Sequence, residues 1–269
     1  PNVNSPFSNM VSFLFFIVYS IYFNTVVPSW IWATTMSSDT VLNNLLAFVA
    51  HMSPEASYGY GPHAGHGVSK SMYDRLSDTD IRKKLIAGPD KTYDLFQRYT
   101  TMPKDEWEEL AYRAPYVNFK FRPNGGERVD YMVANAISLP IMRIEEMYFI
   151  EMEAIYHTQG EDAAWQKLDA FMASRDPKYV CPSSKILDEI LFNKAIEFWG
   201  EGQMMYDFKR LNKGVTCKYA GTNYDEDRRF NTAGRLPWWT SPIPQQETQI
   251  NLAIKENNPD PTNVVQPAI

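Results

Sequence analysis

The chain has 269 residues, long enough for one large domain or two small ones, and its 44% hydrophobic and 22% charged content suits a folded globular protein. A net charge of −6 and the lack of any basic stripe argue against a nucleic-acid partner. Two cysteines, Cys181 and Cys217, are too few for a structural zinc site; they are either free loop thiols or, in an oxidising compartment, a disulfide. The 14% aromatic share is high, and aromatic side chains serve both as core filling and as flat faces for sugar rings.

The first element is the uncharged apolar run VSFLFFIVYSIYFNTVV at 11–27, at the lower length limit for a membrane span. No Lys or Arg precedes Lys70 to anchor such a span, and the β-branched and aromatic content points to an element buried within protein. Trp30 and Trp32 flank Ile31, so an extended backbone sends both to one face. That face is either core or a double aromatic platform for stacking on a glycan. Tyr58 and Tyr60 repeat the alternation within 53–69, a Gly-, Pro-, Tyr- and His-containing stretch that reads as a surface loop, where function often resides. His63 and His66 of that stretch lack a third ligand, so no metal site is assigned.

Asp78 or Thr79 is placed to cap a helix holding Ile81, Arg82 and Leu85. A short helix is expected over Asp105–Arg113, and 117–123 reads as a strand ending at a Pro-Asn-Gly-Gly turn. The helical core follows over 140–211. Pro140 stands just ahead of a helix whose Ile144, Met147, Ile150 and Ala154 share one face. Gly160 marks a turn, and a second helix carries Trp165, Leu168, Ala170, Phe171 and Met172 as far as Asp176-Pro177. Two such helices around a glycine turn look like one tetratricopeptide unit. A third helix has Leu187, Ile190, Leu191, Ala195 and Phe198 on one side and ends at Gly200-Glu201-Gly202. Residues 212–241 are loop-rich, with a solvated charge run at Asp225–Arg229. The tail from Pro242 is extended and is expected to wrap over the helices, and Trp238-Trp239 read as packing for it.

No nucleophile elbow, zinc-protease motif or phosphate-cradling loop occurs, and Glu145, Glu146, Glu151 and Glu153 with His157 do not match the Glu-x-x-His spacing of carboxylate-bridged metals. Neither an enzyme nor a cofactor is expected.

PIMRIEEMYFIEMEA at 140–154, EFWGEGQMMYDFKRL at 197–211 and PIPQQETQINLAIKENNP at 242–259 together resemble the SusD/RagB family, three motifs in the right order. PSWIWATTMSSDT and the stretch 48–86 extend the resemblance, with an Asp-Xaa-Arg step at Asp80–Arg82. The chain departs from the family in having Lys194 alone before the Gly-Glu-Gly and Gln203-Met204 after it. The resemblance implies a mainly α, SusD-like fold of tetratricopeptide-type helix pairs with long irregular loops and few short strands. It implies one SusD-like domain over 1–269, roughly the C-terminal half of a family member: a loop-rich region over 1–139, a helical core over 140–211, and a loop and tail over 212–269. An Arg143–Glu146 salt bridge is also implied.

By the same resemblance the protein is a surface lipoprotein of a Gram-negative outer membrane, anchored by an N-terminal lipid outside this chain. It would bind oligosaccharides or similar nutrients and deliver them to a SusC-like TonB-dependent transporter. Trp30, Trp32, Tyr58 and Tyr60 are the candidate glycan-stacking residues. The alternative functions are a tetratricopeptide-type peptide-interaction module and, more remotely, a surface glycosidase.

Overall fold

The structure, a computed structural model, describes residues 29–258 apart from 42–45, 65, 89–101, 114 and 183–184; the apolar run at 11–27 lies outside the described residues. The chain divides into two compact units, one ending at Gly200 and the other beginning at Glu201.

In the first unit, strand β1 (Trp30–Thr34) is followed by helices α1 (Phe48–Met52), α2 (Gly61–Ala64) and α3 (Lys70–Arg75). Then come β2 (Ile86–Ala87), α4 (Lys104–Arg113), β3 (Val117–Asn118), α5 (Tyr131–Ala134) and β4 (Leu139–Arg143). β1 pairs antiparallel with β4, and β2 with β3. A lone two-stranded ribbon is marginal in water. Each ribbon here lies on apolar side chains: Trp30 with Val49, Phe121 and Ile137 under the first, and Ala87 and Val117 with Trp107 and Phe119 under the second.

Two expectations give way in this region. Pro140 stands inside β4 opposite Ala33, not at a helix start. A two-stranded ribbon has only edge strands, the setting in which proline is tolerated. Asp78 and Thr79 cap no long helix; the chain turns through Asp80 and makes only a 3-10 turn at Lys83–Leu85. Asp80 is drawn inward instead, accepting from the Arg82 backbone N–H at 2.8 Å and pairing with its guanidinium at 2.7 Å.

Helices α6 (Ile144–Gln159), α7 (Glu161–Met172) and α8 (Ile186–Glu197) form the frame. α6 and α7 make a helical hairpin through Gly160, whose φ of 96° is a conformation that a Cβ resists. Phe149 and Met152 of α6 meet Ala164, Leu168, Phe171 and Met172 of α7 and Ile186 and Ile190 of α8. The stripe read from periodicity is the wrong face of α6: Ile144, Ile150 and Ala154 are exposed and Met147 is half-buried. α6 is apolar on both sides, so periodicity alone does not choose between them. Phe149 is the larger side chain, and its ring packs edge-on against Phe171 at 4.9 Å and Phe198 at 6.0 Å. Leu168, Phe171 and Met172 are buried as expected, while Ala170 is exposed. On α8, Ile190 and Phe198 are buried, and Leu187, Leu191 and Ala195 are half-buried.

α8 buries a polar stripe. Glu189, Asn193 and Glu197 recur every four residues and all face inward. Asn193 Nδ2 donates to Glu189 Oε1 at 3.0 Å, while its Oδ1 accepts from Arg82 at 2.9 Å. Glu197 lies between Arg175 at 3.2 Å, Arg143 at 3.4 Å and Arg82 at 3.8 Å. Burial on its own pushes the Glu197 carboxyl up; the guanidiniums of Arg175, Arg143 and Arg82 together outweigh it and hold the group well below the usual carboxylate range. The resemblance implies a pairing of Arg143 with Glu146. Contacts of Arg143 run to Glu145, at 3.1 Å, and to Glu197 across on α8. Glu145 behaves oppositely to Glu197: burial pushes its carboxyl up, and the neighbouring Glu197 charge adds to this against Arg143 and Arg175.

The end of α8 is capped by distant cations. Lys120 Nζ donates to the carbonyls of Glu197 and Trp199 at 2.9 and 3.0 Å, and Arg143 donates to that of Glu197 at 3.1 Å. These bonds satisfy carbonyls that a helix leaves open and set positive charge at its negative end. Gly200 then takes φ 77°, and a Cβ there would run into the Phe121 ring.

The second unit holds α9 (Met204–Arg210) and α10 (Gln245–Ile250). Its loop is organised by Asn231, whose side chain accepts from the backbone of Cys217 and Lys218 and donates back to the Lys218 carbonyl at 2.9 Å. Asp225–Arg229 is exposed, as a solvated charge run should be. The Pro-Ile-Pro and Asn-Asn ends of the tail motif are tied together: Asn257 brackets the backbone of Ile243 at 2.7 and 2.9 Å, and Asn258 donates to the Ser241 carbonyl. Trp238 and Trp239 lie against Phe230 and Phe208. Cys181 and Cys217 are free thiols.

Candidate functional site

The residues read as a possible glycan platform all belong to the first unit, around the apolar cluster of Trp30, Val49, Ala56, Phe121 and Ile137. The structure separates the members of each pair. Trp30 is buried at 9% exposure, whereas Trp32 is 62% exposed. The reason is a β-bulge: the register against β4 shifts on both sides of Trp32, which breaks the simple alternation of an extended strand. Trp30 and Trp32 therefore do not form a shared face. Tyr58 likewise packs against the Trp30 cluster, while Tyr60 is 49% exposed and stacks on His51 with ring centroids 5.6 Å apart. In both pairs the first aromatic supports the core and the second is presented to solvent.

The segment carrying the tyrosines is not the loose surface loop that its composition suggests. Ser53, Pro54, Glu55 and Ala56 are buried, and a Cβ on Gly59 or Gly61 would collide with backbone atoms of Ala50 or Ser53. Glu55 forms a two-pronged pair with the buried Arg122, at 2.5 and 3.1 Å. Such forked pairs fix orientation as well as distance. Ser57 Oγ donates to the Arg128 carbonyl, and the Tyr58 hydroxyl donates to Asn135 Oδ1 at 2.7 Å. Burial, with the Glu127 charge adding to it, pushes the Tyr58 phenol up, so it stays a neutral donor across the ordinary pH range. These latches bring segments 55–60 and 122–135 onto one surface.

The second segment was not singled out from the sequence. It exposes Val129, Tyr131, Met132 and Val133, with Asp130 capping α5 by accepting from the Met132 N–H at 2.9 Å. Glu127 Oε1 accepts from the N–H groups of Val129 and Asp130 at 2.8 and 3.0 Å, and these bonds hold its carboxyl below the usual range. The one available signal was local: a cluster of apolar residues directly after a capping Asp, in a stretch too short for a core helix.

His66 is exposed, and among the described residues no group of three or more His, Cys, Asp or Glu is placed to hold a metal ion. Among the same residues no helix is long and apolar enough to cross a membrane.

A helical hairpin with a third helix against it, overlaid by short ribbons and latched irregular loops, defines a mainly α scaffold that presents contacts on loops. The SusD family profile matches residues 113–260, more than half of the chain, and the chain belongs to that family. It is similar to a solved SusD-like carbohydrate binding protein from Bacteroides vulgatus ATCC 8482, with TM-score 0.61 and 20% identity over 88% of this chain and 50% of that one. It is also similar to a SusD superfamily protein from Bacteroides thetaiotaomicron VPI-5482, with TM-score 0.59 and 18% identity over 91% of this chain and 52% of that one. At such identities the likeness establishes the fold, and the chain spans about half the length of these structures. Curated proteins give no match.

Proposed function

We propose that the chain captures oligosaccharides, or similar nutrients, on a cell surface and passes them to a SusC-like TonB-dependent transporter. On this reading it belongs to a lipid-anchored outer-membrane protein, its two units form one SusD-like domain, and it binds without breaking bonds. Membership of the SusD family and the fold shared with a protein described as carbohydrate binding support the reading. The observation that carries it is the presentation of Trp32 and Tyr60 to solvent from a latched framework. A flat aromatic ring held in place offers a sugar's C–H face a contact with little ordering cost.

Calorimetric titration with a panel of soluble polysaccharides tests this, with Trp32→Ala and Tyr60→Ala beside the parent. Each variant is expected to weaken binding of the recognised glycan by up to about tenfold. Binding that is unchanged in both variants sinks the aromatic site. No binding across the panel by a folded chain transfers the weight to the second reading, a peptide-interaction module. That reading is favoured by the exposed apolar face of α6 at Ile144, Tyr148 and Ile150.

A further inference from the structure

Tyr60 owes its position to the backbone on either side of it. Gly59 and Gly61 are buried and pack against Ala50 and Ser53, the residues that bracket His51 and Met52 at the end of α1. A Cβ on either glycine would run into a backbone oxygen there, that of Ala50 for Gly59 and that of Ser53 for Gly61. Neither glycine takes a positive φ, so the close approach is what calls for them. With both neighbours strapped to α1, the Tyr60 ring lies on the imidazole of His51, centroids 5.6 Å apart and planes 30° from parallel. That distance falls within the range of favourable aromatic pairs. His51 is half-buried and Tyr60 is 49% exposed, so the imidazole is the inner ring and the phenol the outer one.

We propose that His51 is the positioning residue of the Tyr60 platform: it backs the inner face of the phenol, holds the ring in one orientation and leaves the outer face for a single sugar ring. The inference rests on the glycan-binding reading above. A tyrosine without backing turns about its side-chain torsions and must be ordered when a sugar stacks on it, whereas a backed ring is ordered before the ligand arrives. The stack also makes the platform single-sided. His51 therefore acts on a ligand through Tyr60 and not by touching it.

The test is a double-mutant cycle on the full chain, read by titration calorimetry. The probes are maltoheptaose, cellohexaose, xylohexaose and hexagalacturonic acid, and whichever of them the parent binds carries the cycle. The chains are the parent, His51→Ala, Tyr60→Ala, the double variant and His51→Phe, which restores an aromatic backing. Melting temperatures are taken for each; if His51→Ala melts earlier than the parent, His51→Asn, which keeps a polar side chain at the end of α1, takes its place. His51→Ala is expected to weaken binding by about three- to tenfold. The double variant should bind no more weakly than Tyr60→Ala alone, and His51→Phe should bind within about twofold of the parent. Losses that add, so that the double variant falls below Tyr60→Ala by the factor His51→Ala shows by itself, overturn the positioning role and leave glycan capture standing. A His51→Ala or Tyr60→Ala chain that binds as the parent does, or a folded His51→Phe chain as weak as His51→Ala, has the same consequence. A parent that binds none of the four probes, nor any polysaccharide of the broader panel, removes the glycan reading and this inference with it.

Discussion

Replacing Glu197 by Gln probes the polar centre of the frame. The Glu197 side chain is 4% exposed and lies 3.2, 3.4 and 3.8 Å from Arg175, Arg143 and Arg82. At an effective dielectric of about 20, each such pair is worth roughly 4–5 kcal/mol before desolvation. Burying the ions offsets much of this, and removing one partner from a buried cluster costs about 3–5 kcal/mol because the rest is left uncompensated. Glu197→Gln keeps the shape but leaves three guanidiniums facing Asp80 and Glu145. With a urea m-value of about 2–3 kcal/mol per molar, the midpoint should fall by roughly 1–2 M at pH 7. The pH dependence gives an independent reading. The folded pKa of Glu197 lies below the unfolded value of about 4.3, so the unfolded chain binds a proton where the folded one does not. Its contribution is full above the unfolded pKa and is lost as pH falls toward the folded one. The parent should therefore lose stability steeply from about pH 5 to pH 3, and the variant should follow a shallower slope. A midpoint within about 0.3 M of the parent at pH 7, with an unchanged acid slope, would refute the assignment of Glu197 as the anion that balances the cluster.

Glu145→Gln should behave in the opposite sense. Its folded pKa is raised, so between the unfolded and folded values its ionisation costs stability as pH rises. Urea midpoints should show the variant no less stable than the parent at pH 7, with the difference vanishing on acidification; a loss above about 1 kcal/mol at pH 7 contradicts this. The two faces of α6 should separate sharply. Phe149→Ala empties the centre of the hairpin core and should cost about 3–5 kcal/mol, whereas Ile150→Ala, on a residue 51% exposed, should stay within about 0.5 kcal/mol by thermal or chemical unfolding. Equal losses at both positions would mean that α6 uses the face read from periodicity.

The helices of the frame and the Gly160 turn were legible because they depend on local period and backbone freedom. The inward face of α6 was not, since a helix apolar on both sides is oriented by its neighbours' volume. The polar stripe at Glu189, Asn193 and Glu197 has visible four-residue spacing, but that pattern ordinarily marks a solvated side. Only the arrival of Arg82, Arg143 and Arg175 from elsewhere in the chain turns it inward. Of the four candidate aromatics, Trp32 and Tyr60 are presented to solvent, while Trp30 and Tyr58 are support. A bulge decides the first pair and a hydrogen bond to Asn135 the second, and neither is written in the spacing. Glu127 escaped notice because its neighbourhood joins residues about 70 positions apart.

The stretch Phe119–Arg122 explains why the frame and the candidate site are built together. The backbone bends at Lys120 and Phe121, and every residue of the run is buried. Lys120 closes the carbonyl end of α8, two residues before Arg122 pairs with Glu55 under the loop that presents Tyr60. Between them, Phe121 forms a wall of the Trp30 cluster. Hydrophobic contact alone is non-directional and would tolerate a sliding of this segment along the helix end. Two charged anchors two residues apart do not: a one-residue slip would exchange Lys120 and Arg122 for aromatic and apolar neighbours and take Arg122 away from the buried Glu55. The buried charges thus set the register in which the loop meets its supporting surface, a specificity that an all-apolar core of equal stability would not provide.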